Sequence, residues 1–449
     1  MTNKFQRVLK AREVVTLAFG AMIGWSWVFL TGVWITDAGT LGTVIAFSIG
    51  GLAITLIGLT YSELASAMPK AGGEHIYTHR ALGPNWSFVC TWALLFSYLN
   101  VCLFESVALP TAVEYLLPQI KMGTLWHILG ADVDLGFVIV GGLGAAIVTW
   151  VNYVGIRTAA FVQSIVTAMI FGAGILLITG AAFNGNPANA EPWIATPATG
   201  ILAVIIIVPA MLVGFDVIPQ SAEEIDLPPN QIGRLLIISV MCAVLWYILV
   251  SAAVGLAIPS AQLSQVPMAT ADAATSVWGS SFAGTLLVVG GIGGVLTSWN
   301  AFIVGASRVM YALAESGFLP AAFARIHPRY NTPYVGILTI GILSIFAPLF
   351  GRTILVWLVN SGSFAVTIAF LFVAISFLVL RRKEPDMPRP FKVSHPKLVG
   401  FGAVFLSLAL LSAFLPFSDS ALVWPDEWLT IVIWSVLGGI VWMTRRRSA

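Results

Sequence analysis

Stretches of apolar residues long enough to cross a bilayer recur through almost the whole chain, and nothing else in the sequence restricts the fold so tightly. They lie near residues 13–36, 40–67, 84–117, 133–153, 158–182, 198–222, 233–258, 281–315, 334–350, 354–380, 399–417 and 425–444. A helix needs about 20 apolar residues to span roughly 30 Å of hydrocarbon, so the pattern predicts an all-α transmembrane protein of about 12 helices. Of the 449 residues, 58% are hydrophobic and 9% are charged, against about 25% charged in soluble domains. A soluble core of this length could not hide so much apolar surface, whereas lipid is the solvent those side chains prefer. The run at 84–117 is longer than one crossing needs, which implies tilt or an extension beyond the bilayer.

The basic segment from Met1 to Arg12 leads into the first run without a small-residue cleavage site, so that run is read as a retained helix. The cations fix the orientation. Nineteen of the 22 Lys and Arg residues fall before the first helix, in the connectors of the same face, after the tenth helix and at the C-terminus, and Arg308 sits toward the same end of helix eight. Only Lys121 and Arg352 lie on the other face. This predicts a multi-pass protein of the cell inner (plasma) membrane with both termini in the cytoplasm and an even number of helices. Cys90, Cys102 and Cys242 all sit in apolar stretches, so no structural disulfide is expected. A net charge of +2 gives no footprint for nucleic acid, and lipid is the expected surrounding partner.

Two of the apolar runs share a defect. The first contains Gly20-Ala21-Met22-Ile23-Gly24, and the sixth contains Pro209 followed by Val213-Gly214-Phe215-Asp216. The two lie an odd number of helices apart, so two five-helix units would insert with opposite topology, as in inverted-repeat transporters. The expected organisation is a cytoplasmic N-terminus (1–12), a first repeat (13–182), a second repeat (198–380), a basic cytoplasmic loop (381–398), two added helices (399–444) and a cytoplasmic tail (445–449).

Several segments resemble the amino acid–polyamine–organocation (APC) permease family. Helix one reads GAMIGWSWVFLTG, and helix two ends YSELASAMPKAGGEHIYTHRALGP. Helix six reads LVGFDVIPQSAEEI and continues DLPPNQIGR. Helix eight ends ASRVMYALAESGFLP, and RRKEPDMPRPFKV follows helix ten. The resemblance implies a leucine-transporter-like five-plus-five inverted repeat with two C-terminal helices. It also implies alternating access, in which helices one, two, six and seven rock against the rest.

A broken helix exposes backbone groups at mid-membrane that persist only where a ligand, ion or water satisfies them. Carbonyls near Ala21 and Met22 suit an ammonium group, and the N–H groups of Ile23, Gly24, Trp25 and Ser26 suit a carboxylate. Val213, Gly214, Phe215 and Asp216 supply the matching break in helix six, with Tyr98 and Cys102 of helix three and Ser298 of helix eight beside them. A small amino acid is the expected substrate, with an organic amine or polyamine as the alternative. The family usually has small residues after the second glycine; here Trp25 and Trp27 flank Ser26, and one of them can narrow the site.

The coupling ion, H+ or Na+, is left open. Glu105 is placed in the outer half of helix three, above the site, either as a proton or cation carrier or as a solvated vestibule residue. Asp216 caps the second half-helix, contacts the substrate amine or carries a coupled proton. Glu63 takes a structural or inner-gate role, and Glu223 and Glu224 are expected to pair with cations of the basic face. Thr297 and Ser298 either ligate Na+ or bond within their own helix. Some relatives carry a lysine in helix five; Met169 and Ile170 occupy the stretch assigned to it here. Glu74, His75 and His79 lie on a helical turn in which the i and i+4 histidines share a face, but they read as a gate helix rather than a metal site. No catalytic residue, metal or other cofactor is expected. No nucleotide-binding motif or nucleophile–His–acid set is present, so neither an ATP-driven pump nor an enzyme is expected. A non-transporting membrane sensor or channel is the remaining class.

Overall fold

A computed structural model describes residues 5–24, 26–128, 131–263, 266, 268–418 and 421–445. The helices in chain order are α1 (Ala11–Met22), α2 (Ser26–Phe29), α3 (Thr31–Ala38), α4 (Thr40–Ala67), α5 (Glu74–Leu82) and α6 (Pro84–Leu116). After an antiparallel hairpin of β1 (Thr124–Ile128) and β2 (Ala131–Asp134) come α7 (Leu135–Val154), α8 (Ile156–Asn184), α9 (Thr199–Met211), α10 (Val217–Gln220) and α11 (Pro229–Ala257). The chain ends with α12 (Ser260–Leu263), α13 (Ala269–Trp278), α14 (Ser281–Glu315), α15 (Tyr334–Phe346), α16 (Ile354–Lys383), α17 (Pro396–Ala413) and α18 (Asp426–Thr444). Among the described residues, nine helices are long and apolar enough to cross a membrane, and α9 and α15 are shorter apolar helices. The protein is an all-α multi-pass membrane protein.

The helices follow the apolar runs because a helix satisfies its own backbone groups where no water can. Connectors mark where lipid ends. Gly83, at φ +89°, closes α5 and opens α6, a left-handed geometry that a side chain disfavours, and Pro84 then starts α6 with its φ already helical. Helix α14 is the most buried span and packs against α6, α8, α1 and α13. Helix α18 lies at the rim, locked to α6 by Trp92 and Trp434. Their rings stack at 4.4 Å, and each indole N–H donates to the other residue's carbonyl.

Charge is sorted by end. Glu63 on α4 accepts both guanidinium nitrogens of Arg381, at 2.7 and 2.5 Å, and lies 3.0 Å from Arg389. It thereby ties α4 to the loop after α16. Glu224 pairs with Arg308 of α14 at 2.8 and 2.9 Å, and both side chains are buried. The cation that pairs with Glu224 therefore comes from helix eight and not from the neighbouring loop. On the opposite face, Lys121 and Arg352 both pair with Glu114.

Candidate functional site

Helix α1 stops at Met22, and helical structure resumes at Ser26. Helix α9 carries Pro209 inside it, stops at Met211, and gives way to a turn before α10 begins at Val217. The two interruptions abut. Gly214 has φ +126°, and a Cβ built on it would lie 2.6 Å from the Cβ of Ala21, 2.9 Å from its carbonyl carbon and 3.0 Å from the nitrogen of Met22. Only glycine combines that backbone angle with so close an approach.

The polar groups freed by the breaks are partly satisfied by side chains. Tyr247 of α11 places its hydroxyl 2.9 Å from the carbonyl of Met22, 3.3 Å from the carbonyl of Met211 and 3.0 Å from Ser26 Oγ. One hydroxyl thus reaches the last residue of α1 and the last residue of α9. The sequence reading missed Tyr247, because a lone tyrosine in an apolar span carries no depth signal. Asp216 accepts the Tyr98 hydroxyl at 2.8 Å through one oxygen and the backbone N–H of Gly214 at 2.8 Å through the other. It precedes α10 but makes no cap bond to that helix; the N–H it holds lies two residues upstream, inside the turn. Phe215 is buried edge-on to Tyr61 and stacked with Phe370.

Glu105 is not a solvated vestibule residue. It is 2% exposed and reaches the break itself, where a Cβ on Gly24 would sit 3.0 Å from its Oε1. Ser298 lies against the same point, 3.4 Å from that Cβ position, so its side chain stands beside the carboxyl of Glu105. The other oxygen of Glu105 has no partner. Thr297 donates to the carbonyl of Gly294 within α14, while its Cβ faces Gly20. Cys102 is buried, and its carbonyl accepts the hydroxyl of Ser344 on α15 at 3.4 Å. Val213 is half-buried in the turn after α9. Trp25, expected to shape the site, lies outside the described residues.

The helix-five residues facing α1 are Gln163 and Thr167, which approach Gly20; Met169 is exposed. Gln163 Nε2 donates to the carbonyl of Thr16 at 3.1 Å, and its Oε1 accepts from Asn300 at 2.8 Å. Asn300 in turn accepts from Asn152 at 2.8 Å, so an uncharged amide chain joins α1, α8, α14 and α7. Among the described residues, no group of three or more His, Cys, Asp or Glu side chains is arranged to hold a metal ion.

The sequence profile of a family described as amino acid permease matches residues 9–437. The chain is 27% identical over 467 aligned residues to the branched-chain amino acid permease BcaP of Bacillus subtilis (strain 168), covering 99% of this chain and 94% of that protein. It is 24% identical to the methylthioribose transporter of the same organism, across 100% of this chain and 95% of the relative. It is 28% identical to cationic amino acid transporter 4 of Mus musculus, across 86% of this chain and 62% of that longer protein. With one profile running from Leu9 to Leu437, this chain belongs to the amino acid permease family, whose members are membrane transporters and not enzymes.

Proposed function

We propose that the protein is a secondary active transporter that carries a small amino acid across the cell membrane by alternating access, with the substrate held between the breaks of the first and sixth spans. The observation that carries this reading is the contact of Gly214 with Ala21 and Met22, which brings two interrupted helices face to face in the apolar interior. A membrane protein keeps backbone irregular at that depth where it lines a site. The apolar surroundings of Ala21, Met22, Ile23, Val213 and Phe215 favour a small or aliphatic side chain. The backbone of Gly24 and Ser26 is the proposed seat of the carboxylate; the N–H of Ile23, expected to join them, is already donated to the carbonyl of Phe19 at 2.9 Å.

Counting α1–α3 and α9–α10 as one broken span each, with α15 as a short span, gives twelve crossings. Residues 13–182 and 198–380 are then the two repeats, and the basic end, with both termini, faces the cytoplasm. Relatives named for branched-chain and cationic amino acids support an amino acid substrate. A second reading, an organic amine or polyamine, is favoured by Glu105 and Asp216, two carboxylates beside the breaks with no ion-paired Lys or Arg among the described residues.

Uptake of radiolabelled branched-chain, small neutral and cationic amino acids and of polyamines into proteoliposomes tests both. Gly24→Val is expected to abolish uptake while purified protein keeps its unfolding temperature, because the added side chain would meet Glu105. Normal uptake by that variant removes the proposed site. Absence of uptake by the wild type for every solute leaves a sensor or channel.

A further inference from the structure

Four buried oxygens near the basic end lack a hydrogen-bond partner: Glu74 Oε1, Gln220 Oε1 and the hydroxyls of Tyr61 and Tyr77. All four residues are fully buried. They meet at the seam between α5 and α10. Gln220 Nε2 donates to Glu74 Oε2, the Tyr61 hydroxyl lies beside the Glu74 carboxyl, and Gly73 packs on Pro219. The same end of the protein holds Glu63 and Glu224, each neutralised by arginine. Glu74 has no such partner among the described residues.

The cations on the elements around it are engaged or exposed: Lys70, just before α5, and Arg382 of α16 are exposed. Arg80 of α5 pairs with Glu384, and Lys383 of α16 donates to the carbonyl of Ala81. Arg308 of α14 pairs with Glu224, and Arg381 and Arg389 pair with Glu63 of α4. The titratable groups that face Glu74 are Tyr61 of α4, Cys90 and Tyr98 of α6, Asp216 of the helix-six turn and Tyr77 of its own helix. None of them brings positive charge. His75 points into Ser87 and Thr91 of α6 and Ser316 after α14. Burial, then the neighbouring His79, push His75 down to about 4, so it stays neutral. A buried carboxylate without a counter-charge is costly when ionised. Burial, then the nearby Asp216, push the Glu74 carboxyl well above the usual carboxylate range.

We propose that Glu74 is a proton-binding site of the basic-end seam, taking a proton from water onto Oε1 when α5 and α10 close and returning it to water when they part. The O–H bond forms beside the free Gln220 oxygen and the tyrosine hydroxyls, which can accept it, and breaks when hydration stabilises the carboxylate. That this seam is a transport gate rests on the reading above; the proton site does not. The sign follows from linkage. The closed form binds the proton more tightly, so acid favours closure. As pH rises from the hydrated to the buried pKa, the closed-to-open ratio falls by up to about tenfold per pH unit.

Cys90 reports the seam. It is fully buried and lies close enough to Glu74 to sense its charge. In protein purified with Cys102→Ser and Cys242→Ser, maleimide labelling of Cys90 is followed against pH with and without Glu74→Gln. The intrinsic thiolate dependence is common to both proteins. The wild-type Glu74 protein is expected to lose labelling on acidification by up to an additional tenfold per pH unit, and the Gln variant to lack this extra slope. Equal slopes overturn the proposal, as does an extra slope that appears in Na+ but not in choline. If Glu74→Gln cannot be purified, Glu74→Asp replaces it: a displaced midpoint supports the site and an unmoved one overturns it. Labelling needs no transport, so failed uptake and failed labelling are separate results.

Discussion

Glu224 and Glu105 are both buried acids, and the protein treats them in opposite ways. Glu224 meets a guanidinium fork square on, with Arg308 as buried as itself. Glu63, near the same end, meets two arginines. At the breaks, Glu105 has a serine beside one oxygen and nothing on the other, and Asp216 has a tyrosine hydroxyl and one backbone N–H. The first pattern welds elements together and leaves no capacity for a new partner. The second leaves carboxyl oxygens facing backbone that has itself lost its helical bonds. Arginine-paired buried acid, Glu63 and Glu224, is therefore structural near the basic end, whereas Glu105 and Asp216 at the breaks, like Glu74 at the α5–α10 seam, are held without a cation.

The sharpest way to break this comparison is to remove a cation from the welded region. Arg308→Ala leaves Glu224 buried and unpaired, and is expected to destabilise the protein by about 3–5 kcal/mol, read as a large drop in unfolding temperature in detergent. A negligible drop would show that Glu224 is as free as Glu105. The converse change, Glu105→Gln, removes a carboxyl that no cation pairs with among the described residues. Stability should hold or rise, while initial uptake under an imposed pH gradient falls about tenfold, the scale of a loss of roughly 1.4 kcal/mol. If uptake requires Na+, ignores the pH gradient and survives Glu105→Gln, then Thr297 and Ser298 carry the coupling. The smallest effect belongs to an exposed pair. The hydrogen bond from Arg80 holds the Glu384 carboxyl below its usual range, so the pair's contribution is present above the ordinary carboxylate pKa. It is lost as pH falls through the lowered value of Glu384. Solvent screening keeps Arg80→Ala below about 1 kcal/mol at neutral pH, with no difference from wild type in strong acid.

The spans were legible because lipid imposes one requirement, a self-satisfied backbone beneath an apolar surface, and runs of apolar residues state it directly. The breaks were legible because Gly20, Gly24, Pro209 and Gly214 conflict with that requirement. Depth was not. Helix α6 is 33 residues long, more than one bilayer thickness, so its tilt decides whether Glu105 sits in a vestibule or at the break, and composition does not encode tilt. Helix α8 carries Gln163, Ser164 and Thr167 on one face, a polar signal for the side turned toward α1, whereas Met169 and Ile170 were assigned through the resemblance alone. The β1–β2 hairpin lies in the connector between α6 and α7, without enough alternation to announce strands.

Tyr247 has one proton and two carbonyls within reach, with Ser26 able to donate to its oxygen in return. In mechanical terms the hydroxyl is a single pin through two hinges. A helix break alone gives its half-helix an independent pivot; sharing the pin makes the end of α1 and the end of α9 compete for the same proton, so movement of either changes the load on the other. The two interruptions are thereby joined through one side chain, so that a change at either carbonyl is felt at both.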